Sequence, residues 1–226
     1  MTSLNQYCFV SGTKTYKFGY NSVPNVTVTS APDDADFTRS AMLYDGQTYR
    51  FYCFKSTTKD TIYQFAWSGS SYVWGAKGSI PELTITGLPD DADLSQFGML
   101  HDSGKYRLYV KKLGSASIYQ CAWDGSSYAF GASGAIPEMA VVGFPADADL
   151  TRWDMLHDGS DYRFYCLSAI DGTKVYQGAF KYGEGYKYAH NSIPTLSMTE
   201  SPPTSTCTSI CMLHDGRNYR LYTPSS

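Results

Sequence analysis

"YKFGYNSVP" forms residues 16–24, and the closely similar "YKYAHNSIP" forms residues 186–194. A stretch near the N-terminus thus reappears far down the chain, shortly before its end at Ser226. The Ser/Ala-Ile/Val-Pro signal that ends both stretches recurs at a nearly constant spacing. Its four copies are Ser22–Pro24, Ser79–Pro81, Ala135–Pro137 and Ser192–Pro194. Self-similarity at a fixed period of this length indicates a repeat architecture.

One of the repeats is divided between the two ends of the chain. The segment up to the first signal and the segment after the last signal together have the length of one further period. The sequence therefore predicts a single domain of four repeats. These are residues 25–81, 82–137, 138–194, and 195–226 joined with 1–24.

Other blocks recur in the same register. The first set is "MLYDG" (42–46), "MLHDS" (99–103), "MLHDG" (155–159) and "MLHDG" (212–216). The second set is "YRFYC" (49–53), "YRLYV" (106–110), "YRFYC" (162–166) and "YRLYT" (219–223). The third set is "IYQFAW" (62–67), "IYQCAW" (118–123), "VYQGAF" (175–180) and "QYCFV" (6–10), which aligns Trp67, Trp123 and Phe180 with Val10. The block "PDDADF" (32–37) is decayed to "PPTSTC" (202–207) in the fourth copy.

Each repeat reads as a set of short strands. Its short aromatic and branched runs are typical of strands. The sequences "WSGSSY" and "WDGSSY" place Gly and Ser between apolar flanks, which predicts tight hairpin connections. The short pieces "DLSQF" (93–97) and "DLTRW" (149–153) could form one helical turn each.

The repeats predict an all-β, four-bladed β-propeller whose last blade is closed by strands from both termini. A closed ring explains the split repeat, because strand pairing between the two ends leaves no open edge. A linear solenoid has no reason to carry matching half-repeats at its ends. The alternative all-β architecture, a trefoil-like barrel, is less favoured because trefoil repeats are usually shorter.

Composition excludes several classes of protein. The net charge is −3 and no Lys/Arg cluster is present, which argues against nucleic-acid binding. No apolar run approaches the roughly 20 residues of a membrane-spanning helix. The N-terminal "MTSLNQYCFV" lacks the features of a signal peptide, which predicts a cytoplasmic protein or release without a conventional signal.

The stretch "GLPDDADLSQFGMLHDSGKYRLY" (87–109) resembles a hemopexin-type blade through its "GLP", "DA" and "YRLY" elements. The family's Trp-bearing third-strand motif has no clear match, and a strand latch replaces its ring-closing disulfide. The resemblance implies a four-bladed propeller that binds a protein, haem or a metal. It also implies a cation in the central tunnel, held by main-chain carbonyls. The strand positions concerned are Ala41, Gly98, Asp154 and Cys211. No other cofactor is expected.

Three recurrent polar sets have structural interpretations. The arginines of the second block are expected to fork onto a carboxylate, the Asp of either the "MLHDG" or the "DAD" block, and so to fix one blade to the next. His101, His157 and His214 align with Tyr44 and predict a polar ring rather than a three-His metal site. The Asp pairs of the "PDDAD" block favour turn-forming and capping roles over calcium binding.

The cysteines predict a reduced protein. Cys8, Cys53, Cys121 and Cys166 lie in positions that a ring keeps apart, so they are expected to be free thiols. Cys207 and Cys211 are close enough in sequence to bridge or to remain free. No P-loop, G-x-S-x-G, H-E-x-x-H or dinucleotide motif is present, so the residues favour a protein without enzymatic activity.

Aromatic residues beside polar hairpin turns indicate the ligand site. Ring faces cover the C–H patches of a sugar, and polar neighbours fix its hydroxyl groups. The predicted ligand-binding residues are Trp67, Tyr72, Trp74, Trp123, Asp124, Tyr128, Tyr188 and His190. The sequence thus favours a multivalent, lectin-like protein that binds a glycan or glycoconjugate. The alternatives are a hemopexin-like binder and a glycan- or metabolite-processing enzyme. A protein partner and pairing into homodimers are left open.

Overall fold

The computed structural model describes residues 2–200 and 207–224. Residues 202–206 of the decayed "PPTSTC" block therefore lie outside the described residues. Within the described part the chain holds twenty β-strands and no helix, so the all-β prediction is confirmed. No helix that could span a lipid bilayer occurs there either.

The strands follow one another closely. The first ten are β1 (Thr2–Val10), β2 (Thr15–Phe18), β3 (Asn25–Thr29), β4 (Ala35–Tyr44), β5 (Tyr49–Lys55), β6 (Thr61–Trp67), β7 (Ser71–Trp74), β8 (Glu82–Thr86), β9 (Ala92–Asp102) and β10 (Lys105–Lys112). The second ten are β11 (Ser117–Trp123), β12 (Tyr128–Phe130), β13 (Glu138–Val142), β14 (Ala148–His157), β15 (Tyr162–Ser168), β16 (Lys174–Lys181), β17 (Gly185–Tyr188), β18 (Thr195–Thr199), β19 (Cys211–His214) and β20 (Tyr219–Pro224).

One pairing pattern recurs among these strands. Unit 1 comprises β4–β8, unit 2 comprises β9–β13, unit 3 comprises β14–β18, and unit 4 comprises β19, β20 and β1–β3. In each unit the first three strands form an antiparallel meander. The fourth and fifth strands both pair with the third strand, one along each half of it. The strand that opens each predicted repeat, such as β3, therefore pairs within the preceding unit.

The units are joined into a ring. The fifth strand of each unit pairs in parallel with the fourth strand of the next unit, at all four junctions. The ring closes in unit 4, where β1 pairs antiparallel with β20 and sets Tyr7 opposite Leu221. This pairing confirms the predicted closure by strands from both termini. The result is a closed, propeller-like ring of strands. The strands β1 and β20, which lie at the two ends of the chain, are each paired along both edges.

The burial of each strand reflects its place in a unit. The fifth strands alternate between exposed and buried residues, as in β8, because only one face of these strands packs against the core and the other faces solvent. The ends of the first strands and the centres of the second and third strands are continuously buried, as in β6, because both faces of the sheet are covered. Aromatic and β-branched residues fit both environments, since they pack well on a pleated surface.

The hydrophobic core is divided among the four junctions. Each of its four clusters combines buried side chains from two neighbouring units. The cluster between units 4 and 1, for example, packs Leu4 and Val26 with Phe51 and Phe65. Apolar burial thus holds unit to unit, so removing one strand of a unit exposes core on both of its sides.

The segments expected to form a helical turn are instead extended. Residues 93–97 lie within β9, and residues 149–153 lie within β14. Pairing with the neighbouring strand is interrupted at this point in both, which leaves a wide bulge. The expectation was wrong because Asp93 and Asp149 cap this bulge by accepting backbone N–H groups two positions further on.

The bulge of unit 2 delivers a polar side chain to the centre of the ring. Gln96 is buried, and its Nε2 donates to the carbonyls of Ser40 and Trp153 at 3.1 and 3.0 Å. It also lies 3.5 Å from the carbonyl of Ile210. One amide of β9 therefore contacts carbonyls of β4, of β14 and of the residue just before β19, and these are carbonyls of the kind that the hemopexin resemblance assigns to a cation. The tunnel cation stays a prediction.

Candidate binding clefts between the units

A cleft opens at each of the four junctions. Cleft 4/1, between units 4 and 1, has a volume of about 450 Å³, and cleft 3/4 has about 320 Å³. Cleft 1/2 and cleft 2/3 are smaller, at about 160 and 120 Å³. All four are built alike, with a polar floor from one unit and an aromatic wall from the next.

The floor of each cleft is an Arg, a Gln and a Tyr from the second and third strands of one unit. The arginines are Arg50, Arg107, Arg163 and Arg220, and the glutamines are Gln64, Gln120, Gln177 and Gln6. In cleft 1/2, Gln64 donates to Tyr52 Oη at 2.8 Å and accepts from the backbone N–H of Ile80 at 2.9 Å. In cleft 4/1, Gln6 lies 2.8 Å from Tyr222 Oη. The glutamine of cleft 1/2 thus ties the floor to the loop above it.

Three of the four arginines are fixed by a buried carboxylate of their own unit. Arg50 Nε donates to Asp45 at 2.6 Å and Arg220 Nε to Asp215 at 3.0 Å, and Arg163 pairs with Asp158 in the same way. Pairing with the Asp of the "MLHDG" block is thus confirmed for these three, but each pair lies within one unit and does not itself fix one unit to the next. The pairing is wrong for Arg107, because Asp102 accepts hydrogen bonds from Ser103 and Tyr162 instead.

The ion pairs govern the charge state of the floor. Burial alone raises the pKa of Asp45, but hydrogen bonds from Arg50 and two backbone N–H groups outweigh it and hold the pKa below its ordinary value. The same contributions lower the pKa of Asp158 to about 2. The carboxylates are therefore ionised at neutral pH, and each balances its arginine. The floor presents N–H donors with little net charge.

The same carboxylates also join neighbouring units. Tyr219 Oη donates to Asp158 at 2.9 Å, and Tyr106 Oη lies 3.3 Å from Asp45. Burial and the carboxylate together raise the pKa of Tyr219 to about 12, because both disfavour a phenolate. The junction tyrosine is therefore a neutral hydroxyl group at the edge of the cleft.

The wall of each cleft is aromatic. In cleft 4/1 it contains Trp67 and buried Tyr72, whose ring centroids lie 5.3 Å apart in an edge arrangement. In cleft 1/2 it contains Trp123 and buried Tyr128, with centroids 5.4 Å apart. The indoles are partly exposed, whereas the tyrosines are buried. Clefts 2/3 and 3/4 carry phenylalanine in place of the tryptophan.

The equivalent of Trp67 in unit 4 is Phe9. Trp67 pairs with Tyr72 across the hairpin, and Phe9 pairs with Tyr16. The alignment with Val10 is wrong by one position. The short "QYCFV" block has no Trp to anchor it, and Gln6 must be matched with Gln64 for the polar floor to repeat.

An exposed β-branched residue forms the rim opposite the aromatic wall. Val23, Ile80 and Ile136 are 53%, 47% and 44% exposed, and Ile193 takes the same place in cleft 3/4. Ile193 differs from these three, because it is partly buried and packs against the core between units 3 and 4. The rim residues leave each cleft with an apolar side chain beside the aromatic wall and polar groups below.

The loop that carries this rim differs between the large and the small clefts. It runs from Phe18 to Pro24 in cleft 4/1 and from Tyr188 to Pro194 in cleft 3/4, but is longer by a single position, Trp74–Pro81, in cleft 1/2. The shorter loops carry Asn21 and Asn191, and both residues line their cleft.

The serine of this loop has a hydrogen-bond partner in cleft 1/2 and in cleft 3/4, where Ser192 Oγ donates to the carbonyl of Gln177 at 3.2 Å, but not in cleft 4/1. In cleft 1/2, Ser79 Oγ donates to the carbonyl of Ala76 at 2.5 Å. In cleft 4/1, Ser22 Oγ is buried and has no hydrogen-bond partner within the described residues. A buried hydroxyl without a partner costs free energy, which a ligand in cleft 4/1 would recover.

Four of the predicted site residues line the clefts, and four lie elsewhere. Trp67, Tyr72, Trp123 and Tyr128 belong to the walls described above. Trp74 packs edge-on against Tyr63 and donates its indole N–H to the carbonyl of Pro81 at 3.1 Å. Tyr188 packs against Tyr176, and Asp124 caps its own hairpin turn through the N–H groups of residues 126 and 127.

His190 is partly buried at the start of the loop, where its backbone N–H lies 3.3 Å from the carbonyl of Lys187. Its neighbour Asn191 lines cleft 3/4. The sequence placed the site close to this loop but one position early. The invariant Arg and Gln were missed as cleft residues, although polar invariance next to a variable loop could have indicated them.

The histidines stack on the junction tyrosines. The ring centroids of His101, His157 and His214 lie 4.6, 4.5 and 4.5 Å from those of Tyr106, Tyr162 and Tyr219, and Tyr44 stacks on Tyr49 in the same manner. Burial lowers the pKa of His101 and His214, which favours the neutral imidazole. No group of three or more His, Cys, Asp or Glu side chains within residues 2–200 and 207–224 could hold a metal ion.

The predicted capping role is confirmed for the second Asp of each pair, whereas the first Asp accepts from a tyrosine hydroxyl of the third strand. Asp34 accepts from Tyr63 Oη at 2.6 Å, and Asp36 caps the bulge and pairs with Arg39 at 2.7 Å.

The six cysteines are all free thiols, which confirms the prediction for Cys8, Cys53, Cys121 and Cys166. Cys207 and Cys211 are free as well.

Comparison with known proteins adds a structural likeness and no family. No family model matches the chain, and no curated protein matches it. A solved structure of the fucose-specific lectin from Aleuria aurantia, in a mercury-derivative form, is similar at 13% sequence identity and a TM-score of 0.38. The match covers 94% of this chain and 67% of that chain. A likeness at this level leaves the function to be argued from the clefts themselves.

Proposed function

We propose that this protein is a non-enzymatic carbohydrate-binding protein whose ligands enter the clefts between the units. The observation that supports it most is the repetition of one constellation at all four junctions: an Arg, a Gln, an aromatic wall and a β-branched rim. The rim residue is exposed at three of the four junctions, where core packing does not account for an apolar side chain.

The arrangement suits a sugar ring. Its C–H faces would lie between the indole of Trp67 and the side chain of Val23, and its hydroxyl groups would meet Arg220 and Gln6 below. Arg220 is paired with Asp215, so the floor offers hydrogen bonds without a strong uncompensated charge. A neutral sugar is the ligand class that such a floor serves best. Ser22 Oγ would supply one further hydrogen bond in cleft 4/1.

Valency follows from the architecture that we propose. Each five-strand unit is one blade of a four-bladed propeller, and each junction carries one copy of the site. Several weak sites on one rigid body raise avidity for a multivalent glycan, because the second contact is intramolecular. Hemopexin-like type, a protein partner and pairing into dimers stay predictions.

A glycan array with the recombinant protein tests this function. Neutral glycans that score should quench the fluorescence of Trp67 in titration with the corresponding free sugar, because that indole is the wall of the largest cleft. Because Trp123 lines cleft 1/2, the quenching is followed in a W123F background, where R220Q should abolish it and R50Q, which alters the small cleft 1/2, should retain it. A flat array combined with spectral shifts on adding haem or a metal ion would contradict the proposal.

A further inference from the structure

One of the four turns that precede the cleft arginines differs from the others. In units 1, 3 and 4 the turn begins Asp-Gly, and only the glycine, such as Gly46 or Gly159, has a positive φ. In unit 2 it reads Asp102-Ser103-Gly104-Lys105, and Ser103 and Gly104 have φ values of 49° and 78°. Two consecutive residues with positive φ make a two-residue hairpin turn, in which Asp102 pairs directly with Lys105.

This turn changes the role of the aspartate. In the other three units the carboxylate caps the turn, as Asp45 does by accepting the N–H groups of Gln47 and Thr48 at 3.0 and 2.7 Å. The capped carboxylate then faces its arginine. Asp102 is a strand residue and accepts instead from Ser103 Oγ at 2.8 Å and from Tyr162 Oη. Its side chain is 23% exposed, against 6% for Asp45 and 3% for Asp158.

The result is an arginine that makes no close ion pair with a carboxylate, although its charge, after the hydrogen bond from Tyr162, is among the contributions that lower the pKa of Asp102. Arg107 lines cleft 2/3 and donates Nη1 to Gln120 Oε1 at 3.2 Å. Within the described residues no carboxylate oxygen lies within 4.0 Å of its guanidinium, the distance that defines the ion pairs of Arg50, Arg163 and Arg220. Arg107 is also the single charged residue among those that line this cleft. Its side chain is partly buried, so its charge is less screened than that of a fully exposed arginine.

We infer that cleft 2/3 binds the anionic group of an acidic sugar, such as a carboxylate or a sulfate ester, on Arg107. This inference rests on the proposed carbohydrate function and gives one cleft a different ligand class from the other three. A guanidinium offers two parallel N–H donors that match two oxygens of a carboxylate or sulfate. The cleft is small, at about 120 Å³, so the anionic group enters it while the rest of the sugar lies against Phe180 at its mouth.

The backbone N–H of Ile136 is the reporter for this site. It donates to Gln120 Oε1 at 2.8 Å, the same oxygen that accepts from Arg107, so an anion on Arg107 should change its environment. The N–H of Ile80 makes the same contact with Gln64 in cleft 1/2 and serves as the internal control. Titrations of ¹⁵N-labelled protein with glucuronic acid, glucose 6-sulfate and glucose would be followed at both amides.

We expect saturable shifts at Ile136 with the acidic sugars, with affinity at least about tenfold above that for glucose, because hydrogen bonds to charged groups are the stronger ones. The R107Q variant should abolish them, R50Q should not, and added salt should weaken them. Whichever acidic probe binds more tightly identifies the oxyanion. Equal shifts at Ile136 and Ile80, shifts that survive R107Q, or no saturable shift with either acidic probe would overturn the inference.

A gain-of-function variant makes the test independent of R107Q. Replacing the turn of unit 3 by that of unit 2, as G159S/S160G/D161K, should draw Asp158 away from Arg163 and remove Asp161 as its second partner. The larger cleft 3/4 should then acquire preference for the acidic sugars, reported by the N–H of Ile193, which contacts Gln177. Failure of both experiments with retained neutral-sugar quenching of Trp67 would refute the anionic site alone. Loss of that quenching as well would refute the proposed function.

Discussion

Clefts 4/1 and 3/4 share unit 4, whereas clefts 1/2 and 2/3 do not, and the pairs differ in volume by a factor of two or more. The floors are nearly the same in both pairs. The difference lies in the loop above them, which is shorter by a single position and carries Asn in the larger clefts. The strands thus determine which polar groups form the floor of a cleft, whereas the length and sequence of the loop determine the volume of the cleft.

The largest effect is expected from removing β1, on which both large clefts depend. Deleting residues 2–18 should abolish cooperative unfolding, because β20 loses one of its two partner strands and two junction cores are opened. Thermal unfolding followed by circular dichroism measures this. A matched control starts the chain at residue 25 and appends residues 1–24 after residue 226 through a short Gly-Ser linker. This permutant should melt like the parent, and a deletion variant that also does so would refute the closure.

Tryptophan replacements compare the two classes of cleft directly. W67A should weaken binding of a neutral sugar by about 1–3 kcal/mol, since the indole is a partly exposed wall of cleft 4/1. W123A removes the same wall from the narrower cleft 1/2 and should cost less. Isothermal titration calorimetry gives the affinities, and the melting temperature serves as the control for folding. A W67A protein that unfolds, or binds as tightly as the parent, would place the site elsewhere.

The first strand of unit 3 carries a buried carboxyl group that the equivalent positions of the other units lack. Asp154 is fully buried and accepts from the N–H of Met212 at 2.6 Å, and its other oxygen has no partner within the described residues. Ala41, Gly98 and Cys211 occupy the equivalent positions. Burial raises the pKa of Asp154 well above its value of about 3.9 in an unfolded chain. The neutral form is therefore favoured in the folded state.

The raised pKa of Asp154 makes the folded protein more stable at low pH than at high pH. A raised pKa contributes stability that is fully present below the unfolded value and is lost as the pH rises toward the folded value. D154N should therefore be more stable than the parent by about 1–2 kcal/mol at pH about 8 and similar to it at pH about 4. Urea denaturation at both pH values measures the difference. Equal destabilisation at the two pH values would show that the amide does not fit.

The smallest effect is expected from changing the loop alone. Replacing residues 76–78 by Tyr-Asn gives cleft 1/2 the length and Asn of cleft 4/1. In a W67A background, this change should improve neutral-sugar binding at cleft 1/2 by about 1 kcal/mol, the gain typical of one added hydrogen bond. Quenching of Trp123 fluorescence measures it. Unchanged affinity would show that the loop does not set the difference between the clefts.

Within the candidate site, the sequence and the structure agree where a side chain is tied to its strand. Trp67, Tyr72, Trp123 and Tyr128 were predictable because a hairpin sets the indole opposite the tyrosine. Trp74 was not, because its indole N–H finds the carbonyl of Pro81 and turns away from the cleft. Such a contact depends on the path of the loop between Trp74 and Pro81, and the sequence pattern of a single strand does not specify that path.

The sequence alone determined the repeat, its division between the termini and the all-β class, because period and strand pattern are properties of the chain itself. Only the tertiary structure determined which aromatic wall lies against the polar floor of each unit. Each cleft joins the floor of one repeat to the aromatic residues of the next, so Arg50 meets Trp123 from a distant part of the chain. The structure also decided that Arg107 lacks the carboxylate that its counterparts have. Two consecutive positive φ angles in the turn before Arg107 place Asp102 in the strand, so its carboxylate no longer caps the turn and faces the arginine. The partner of a side chain therefore depends on the geometry of the turn as well as on its position in the repeat.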